Sequence, residues 1–200
     1  NLINIPSTLL SQVDAAIGGK TGVNSKFGKN LLGTFYLPKA VIIDVNLTQS
    51  LSQREMVTGF AEILKHAIIF DKKFYSWLDK NSFKLLKDRN IKFLKEAIYK
   101  SCKIKLFFVN NDFKEKNMRM NLNFGHTFAH AIESANNYSS SIKHGEAVLI
   151  GMVMATKLSK ILKVTTEKTL NRILNFYDKY HLNYDLKKVL NKNKFSKIIK

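Results

Sequence analysis

Three histidines and one glutamate have the residue types and spacing of a metal site. His126 and His130 lie four positions apart in the run NFGHTFAH, so on a helix both imidazoles lie on one face. His144 stands at the predicted start of a later helix, and Glu62 lies beside an apolar helical stripe, where an unpaired carboxylate is costly to bury. One carboxylate and two imidazoles, here Glu62, His126 and His144, are the ligand set of many catalytic zinc sites.

Each of these motifs also has an ordinary structural explanation. The zinc motif HExxH requires glutamate where this chain has Thr127. Lys65 follows Glu62 by three residues and can pair with it on a helix, and Glu146 in the first turn of a helix complements the helix dipole. Two histidines four apart are often one core and one surface residue. Spacing alone therefore leaves a metal site and plain structural roles both open.

A glycine-rich loop near the N-terminus, GGKTG from Gly18 to Gly22, contains Lys20. Backbone N–H groups and an ammonium in such a loop can bind phosphate. The Walker A loop needs a glycine where this chain has Asp14, so a nucleoside triphosphatase is excluded. A tight hairpin turn remains the structural alternative.

The elements that must position these residues change in character near residue 50. Residues 1–50 contain five of the nine glycines and both prolines, and the apolar run 40–44 predicts a buried strand. From Gln53 onward apolar residues recur every three or four positions, which predicts helices. The helical stripes cover residues 56–68, 91–108, 124–132, 147–158 and 170–177. The fold class expected is mainly α, with a short mixed α/β segment over residues 1–50 and a helical domain over residues 51–200.

Charge and cysteine content limit the remaining classes of function. The net charge of +18 comes from 29 lysines against 4 arginines, spread along the chain. Nucleic-acid readers favour arginine for bidentate contacts, so the pattern favours a solvated lysine surface over a nucleic-acid partner. The single cysteine, Cys102, excludes an internal disulfide and indicates a reducing cytoplasm. The chain starts with Asn1 rather than methionine, and its first residues lack the pattern of a signal peptide. No apolar run is long enough to cross a membrane. We therefore interpret the chain as the middle of a longer cytoplasmic protein.

Five motifs together resemble the 3-dehydroquinate synthase family in their order and spacing. The resemblance extends over roughly the first 160 residues, and its motifs are residues 5–24, 28–30, 59–65, 121–133 and 144–146. The family pairs an N-terminal dinucleotide-binding α/β domain with a C-terminal helical domain, and its active site lies between them. The resemblance implies that residues 1–50 are the last part of the first domain and that residues 51–200 are the metal- and substrate-binding domain, truncated at its end.

The resemblance also assigns roles to individual residues. The metal ligands would be Glu62, His126 and His144, holding zinc or cobalt. The catalytic residues would be His130, Lys65, Lys20 and Asp14. The substrate-binding residues would be Asn30, Lys105, Glu115, Arg119 and Asn123. The residues that contact NAD would be Ser7, Thr8, Lys20, Lys29, Leu47, Thr48, Gln49 and Ser50.

The activity implied by the resemblance is an NAD- and metal-dependent phosphorus–oxygen lyase of the shikimate pathway. It converts 3-deoxy-D-arabino-heptulosonate 7-phosphate to 3-dehydroquinate and phosphate, and the family usually forms homodimers. We expect no nucleic-acid or membrane partner, and we expect these 200 residues alone to bind NAD poorly and to be inactive. The alternatives are a related sugar-phosphate cyclase of the deoxy-inosose synthase type, a metal-dependent polyol dehydrogenase and a non-catalytic basic fragment that binds nucleic acid.

Overall fold

The computed structural model describes residues 1–25, 28–183 and 185–189, without the side chains of residues 24–31 and Lys188. Within these ranges six α-helices account for most of the fold, so the mainly α class predicted from the sequence is confirmed. They are α1 (Gln53–Phe70), α2 (Lys72–Leu86), α3 (Ile91–Asn111), α4 (His126–Ala135), α5 (His144–Ile161) and α6 (Glu167–Lys179). None of the helices described is long and apolar enough to cross a membrane.

The segment before α1 is built from short pieces. Strand β1 (Ile3–Asn4) pairs in parallel with β4 (Ala40–Val41), and β2 (Val23–Ser25) pairs antiparallel with β3 (Gly28–Leu32). A π-helical turn over Ser11–Ala15 follows β1, and a 3₁₀ turn over Val45–Ser50 leads into α1; further 3₁₀ turns are Met118–Asn123 and Leu186–Lys188. Residues 1–50 thus have the predicted mixed character, while the domain division at residue 50 stays a prediction.

Two elements differ from the sequence prediction. The buried strand expected over residues 40–44 is wrong, because the strand ends at Val41 and the side chain of Ile42 is 54% exposed. A parallel strand is buried only when elements cover both of its faces, and among the described residues only β1 pairs with it. Helix α2 was not predicted; Asp71 caps its start by accepting hydrogen bonds from the N–H groups of Lys73 and Phe74.

Helix α1 is the centre of the fold. It packs against α2, α3 and α5, and residues 58–67 are buried without interruption. The cap is Ser52, whose hydroxyl accepts a hydrogen bond from the N–H of Glu55. Because the middle of this helix faces protein on every side, Glu62 is removed from water even though it carries a carboxylate.

Two close backbone contacts hold α5 against its neighbours. A Cβ added to Gly145, in the first turn of α5, would lie 2.2 Å from the carbonyl oxygen of Thr58 on α1. A Cβ added to Gly151 would lie 2.1 Å from the carbonyl oxygen of Gly125, which precedes α4. Only glycine allows approaches this close, so these two positions fix the distance between the three helices that carry Glu62, His126 and His144.

We expect Gly145→Ala to destabilise the chain and to loosen the contact between α5 and α1. The added methyl group must push the helices apart, and overpacking of this kind costs about 1–3 kcal/mol. Urea unfolding of the variant should show this loss, whereas Lys157→Ala, an exposed site on the same helix, should change stability by less than about 0.5 kcal/mol. A Gly145→Ala chain as stable as the unchanged one would contradict the packing described.

Candidate metal centre

Three helices bring Glu62, His126 and His144 together. Glu62 lies in the middle of α1, His126 begins α4 and His144 begins α5. The Nε2 atoms of both histidines lie 3.6 Å from Oε1 of Glu62. One ligand atom from each residue lies within 4.8 Å of the other two. The structure therefore brings Glu62 together with two histidines that follow it by 64 and 82 positions, as the sequence analysis requires, while the role of all three as ligands stays a prediction.

The surroundings of Glu62 fit a divalent cation. Its side chain is fully buried, and Oε1 has no hydrogen-bond partner among the described residues. Oxygen and nitrogen atoms bound to one tetrahedral zinc ion lie roughly 3.3–3.6 Å from each other, which agrees with the 3.6 Å separations from Oε1 to the two imidazoles. No donor in the described part of the chain lies within hydrogen-bond distance of this oxygen, and a cation held between it and the two imidazole nitrogens would satisfy it.

The second oxygen of Glu62 has a different partner. Oε2 forms an ion pair with the ammonium of Lys65, one turn later on α1, and both side chains are buried. Burial by itself raises the pKa of Glu62, but Lys65 and the two imidazoles outweigh it and hold that pKa well below its usual value. The pairing with Lys65 and a metal site are thus compatible, because each uses a different oxygen.

Each imidazole is oriented through its other nitrogen. Nδ1 of His126 lies 3.3 Å from the carbonyl oxygen of Phe124, and Nδ1 of His144 lies 3.2 Å from Oε1 of Glu133 on α4. A carboxylate behind a metal-binding histidine is a common second partner in metal sites. Sequence reasoning missed Glu133, although it lies seven residues after His126 and hence on the same face of α4.

The start of α5 is held by an arginine that sequence reasoning also missed. Arg54 donates from Nε and Nη2 to the two carboxylate oxygens of Glu146, at 2.6 and 2.7 Å. Its guanidinium also donates to the carbonyl oxygens of Ser140 and Ser141, and Glu146 accepts from the N–H of Lys143 at 2.8 Å. Glu146 therefore does more than complement the helix dipole: it ties α5 to α1 directly beside His144.

Metal binding should release a proton from His144. Burial lowers the pKa of His144, but the carboxylates of Glu133 and Glu62 outweigh burial and raise it to about 9. In the metal-free chain both nitrogens of this ring are then protonated at neutral pH, and the ring is positively charged. A histidine that binds a metal must be neutral, so one of the two protons has to leave. Zinc affinity should rise about tenfold per pH unit up to about pH 9. Calorimetric titrations in buffers of different ionisation enthalpy measure the proton count; an affinity that is constant from about pH 6.5 to 8.5 would rule this out.

A cavity of about 370 Å³ is lined in part by His126 and His144, two of the three predicted ligands. Every predicted catalytic or substrate-binding residue with a described side chain lines it, namely Asp14, Lys20, Lys65, Lys105, Glu115, Arg119, Asn123 and His130. His130 is exposed to this cavity, with its ring centroid 5.6 Å from that of His126. The side chains of Lys29 and Asn30 lie outside the described residues. The cavity thus collects side chains from five separate stretches of sequence, namely 10–20, 65, 105, 115–130 and 144.

Two acids organise the cations of the cavity. Glu115 pairs with Lys20, accepts a hydrogen bond from Nδ2 of Asn123 at 2.7 Å and lies 3.9 Å from Nε of Arg119. Asp14 accepts from Nζ of Lys105 at 2.5 Å. Burial raises the pKa of Asp14, but Lys105 and Lys65 outweigh it and lower the pKa to about 2. Both acids are therefore ionised and keep the cations in place.

The guanidinium of Arg119 is partly committed to the backbone. The side chain is buried and donates to the carbonyl oxygen of Phe113 at 2.7 Å and to that of Gly18 at 3.1 Å. Arg119 therefore anchors the glycine-rich loop to the 3₁₀ turn before α4. Its remaining N–H groups are available to the cavity, which it also lines.

Of the residues predicted to contact NAD whose side chains the structure describes, only Lys20 lines this cavity. Thr8 exchanges hydrogen bonds with Ser11, Thr48 donates to the carbonyl oxygen of Val45, and Ser50 donates to that of Leu47. Gln49 donates to the carbonyl oxygen of Arg89. Ser7 is exposed. Except for the Gln49–Arg89 hydrogen bond, these contacts join residues three positions apart, and the cofactor role of the group stays a prediction.

The chain resembles known proteins over its whole length. A family model described as 3-dehydroquinate synthase C-terminal matches residues 59–200, and one described as 3-dehydroquinate synthase N-terminal matches residues 1–58. A 3-dehydroquinate synthase of Pelagibacter ubique is 46% identical over 98% of this chain, and one of Campylobacter concisus is 50% identical over 91% of it. These matches cover 53% and 51% of the two relatives, so the chain spans about half the length of the curated relatives it matches.

Solved structures of sugar-phosphate cyclases share the fold. One is a 2-epi-5-epi-valiolone synthase from Streptomyces hygroscopicus subsp. jinggangensis, solved with NAD⁺ and Zn²⁺ bound. It matches this chain with a TM-score of 0.87 and 30% sequence identity, and the match covers 98% of this chain and 54% of the synthase. Another is a 2-deoxy-scyllo-inosose synthase complexed with carbaglucose-6-phosphate, NAD⁺ and Co²⁺. It matches this chain with a TM-score of 0.82 and 25% sequence identity, and the match covers 99% of this chain and 53% of the synthase. With both family models matched in order along the sequence, the chain belongs to the 3-dehydroquinate synthase family.

Proposed function

We propose that this chain forms the metal- and substrate-binding part of a 3-dehydroquinate synthase. The reaction is the conversion of 3-deoxy-D-arabino-heptulosonate 7-phosphate to 3-dehydroquinate and phosphate, with NAD used catalytically. The observation that carries the proposal is the buried Glu62 carboxylate between His126 and His144, beside a cavity lined by lysines and an arginine. Relatives of that name, 46–50% identical to the chain, support the choice of reaction.

The metal in this proposal is zinc or cobalt, held by Glu62, His126 and His144. When bound, such an ion lowers the pKa of substrate hydroxyls and orients them. His130 faces the same cavity and would accept the proton of the hydroxyl that is oxidised, a task that suits an imidazole near neutral pH. Its exposed ring can reach a substrate without moving the ligand residues.

The cations of the cavity match the charges of the substrate. We assign Lys20, Arg119 and Asn123 to the phosphate, and Lys65 and Lys105 to the carboxylate and the hydroxyls. Phosphate and carboxylate groups form their strongest hydrogen bonds with charged donors. The same cations now face Glu115 and Asp14, so an anionic substrate replaces contacts that these acids hold in its absence.

We extend the proposal to the organisation of the protein. Residues 1–50 would be the end of the NAD-binding portion, with Ser7, Thr8, Lys29 and residues 47–50 at the cofactor, and Asn30 at the substrate. Residues 51–200 would be the metal- and substrate-binding portion. By the family resemblance we place the protein in the cytoplasm as a homodimer.

A cyclase of the deoxy-inosose synthase type is the runner-up. The observation in its favour is the fold shared with the solved enzyme, at 25% identity. The two reactions differ in the substrate, since only the heptulosonate carries a carboxylate. Lys65 and Lys105 are buried, line the cavity and are not assigned to the phosphate, so they are the cations that a substrate carboxylate would contact.

Substrate binding to the zinc-loaded chain tests the proposal. We expect 3-deoxy-D-arabino-heptulosonate 7-phosphate to bind at least tenfold more tightly than glucose 6-phosphate, about 1.4 kcal/mol for the carboxylate contacts. The 200 residues alone should show no turnover with added NAD. A fusion to the N-terminal half of the Pelagibacter ubique relative should release phosphate, and His130→Ala should reduce that release while leaving substrate binding intact.

Three results would overturn the proposal. Equal binding of the two sugar phosphates would favour the deoxy-inosose type. Turnover by the unfused 200 residues would show that no further NAD-binding segment is needed. Tight DNA binding that weakens steeply with salt, together with no metal binding, would favour a basic nucleic-acid-binding fragment.

A further inference from the structure

Arg54 of α1 contacts the chain on both sides of His144. Before His144, Nη1 and Nη2 donate to the carbonyl oxygens of Ser140 and Ser141, at 3.2 and 2.7 Å. After His144, Nε and Nη2 donate to the two carboxylate oxygens of Glu146, at 2.6 and 2.7 Å. One guanidinium therefore spans the junction at which a loop ends and α5 begins.

The loop before His144 has little apolar packing of its own. Residues 137–141 are exposed, and Ile142 is the first buried residue after them. A segment with little buried apolar surface opens at a low cost in free energy. The contact between Nδ1 of His144 and Glu133 orients the ring, but it does not fix the backbone that carries the ring. The position of that backbone therefore depends on contacts from α1.

Three residues of α1, spaced four apart, meet the first three residues of α5. The pairs run in order along the two helices, as Arg54–Glu146, Thr58–Gly145 and Glu62–His144. Residues four apart lie on one side of a helix, and eight residues span about 12 Å. Because a single helix carries both Arg54 and Glu62, holding Glu146 in place also sets the distance from His144 to Glu62.

We propose that Arg54 is a positioning residue of the metal centre: its guanidinium fixes the backbone on both sides of His144 and so holds that imidazole opposite Glu62 before an ion binds. The inference rests on the metal site of the proposed function and adds a residue to it. Arg54 is not among the residues that line the cavity. Its effect on zinc is therefore transmitted by the segment that it holds.

The role depends on the shape of the guanidinium as well as on its charge. The pair of Arg54 with Glu146 is partly exposed, and an isolated exposed ion pair contributes little to stability. Here the planar group makes two parallel contacts with one carboxylate and also donates to two carbonyl oxygens. A lysine has a compact ammonium without this fork and cannot hold all four acceptors. Substitutions can therefore separate charge from geometry.

Zinc titrations of the 200-residue chain test the proposal. Arg54→Gln should lower zinc affinity by about 10- to 100-fold, the usual effect of losing a residue that orients a ligand. Arg54→Lys should recover less than half of this loss on a logarithmic scale. Glu55→Gln is the matched control, because it breaks an ion pair with Lys143 that joins the same two segments. It should change zinc affinity by less than about twofold.

A double-mutant cycle shows whether Arg54 acts through His144. In the His144→Ala chain, Arg54→Gln should change the remaining zinc affinity by less than about twofold, because the ligand that Arg54 positions is already gone. A general loosening of the fold would instead lower the affinity again. Urea unfolding shows that each variant is folded; should Arg54→Gln fail to fold, Arg54→Lys replaces it in every comparison.

The metal-free chain provides a readout that does not depend on zinc. The ring centroids of His126 and His144 lie 5.3 Å apart, so NMR spectra of the unchanged chain should show nuclear Overhauser effects between their ring protons. These should weaken or vanish in Arg54→Gln and persist in Glu55→Gln.

The outcomes separate this inference from the metal site itself. Equal zinc affinity in Arg54→Gln and the unchanged chain would overturn the role of Arg54. Full recovery by Arg54→Lys, a further loss in the His144→Ala background or unchanged ring contacts in metal-free Arg54→Gln would overturn it as well. If the unchanged chain bound no zinc, the metal site would fail, and the ring contacts would still decide whether Arg54 positions His144.

Discussion

Glu62→Gln, His126→Ala and His144→Ala should each remove zinc from the purified chain. The unchanged chain should contain about one zinc ion, and each variant only a trace, because a site with two protein ligands is far weaker than one with three. We expect affinity to fall by more than about 100-fold, beyond the effect of changing a residue that only orients a ligand. Elemental analysis after dialysis against a weak chelator measures the content, and calorimetry measures the affinity.

The matched control for this experiment is His130→Ala. His130 lines the same cavity, and its ring lies 5.6 Å from that of His126, yet it is not one of the three residues whose possible ligand atoms lie within 4.8 Å of one another. This variant should therefore keep its zinc. Full zinc content in His144→Ala, or zinc loss in His130→Ala equal to that in His126→Ala, would show that the ion is bound by a different set of residues.

Lys65→Met should destabilise the metal-free chain and leave the zinc-bound chain much less affected. Lys65 and Glu62 form a buried ion pair, and removing one partner of such a pair costs about 3–5 kcal/mol because the other charge is left without compensation. Zinc supplies positive charge to the same carboxylate, so its binding should restore most of the loss. Removing Lys65 also removes repulsion toward the ion, so zinc affinity should rise.

Urea unfolding with and without zinc measures this difference. The control is Lys100→Met, which breaks a surface pair with Glu96 on α3. That pair is partly exposed, and exposed pairs contribute about 0–1 kcal/mol, independent of zinc. An equal loss of stability in Lys65→Met with and without zinc would mean that the ion does not share the charge of Glu62.

Local patterns in the sequence were enough to find the candidate ligands. The four-residue spacing of His126 and His130 predicts a shared helix face, and α4 begins at His126. The apolar residues around Glu62 predict a buried carboxylate, and the structure buries it fully. The family resemblance added which of the histidines to group with Glu62, a choice that spacing alone left open.

Contacts between distant helices could not be read from the sequence. Arg54 and Glu146 are 92 positions apart, and His66 and Ser101 are 35 apart. Such pairs depend on how α1, α3 and α5 pack, which is set by close approaches such as that of Gly145 to Thr58. A pattern of period 3.6 tells which face of a helix is buried but not which residue of another helix it meets. For the same reason the sequence could not show that Lys65 pairs with one carboxylate oxygen of Glu62 while the two imidazoles face the other.

Anomalous diffraction at the zinc absorption edge, from crystals of the zinc-loaded chain, tests the central claim most directly. We expect one strong peak, bonded at about 2.0–2.2 Å to Glu62, His126 and His144. The ion should lie on the Oε1 side of Glu62, with Lys65 still on the other oxygen. A zinc ion held by other side chains, or no ordered ion among these three residues at full zinc occupancy in solution, would contradict the account.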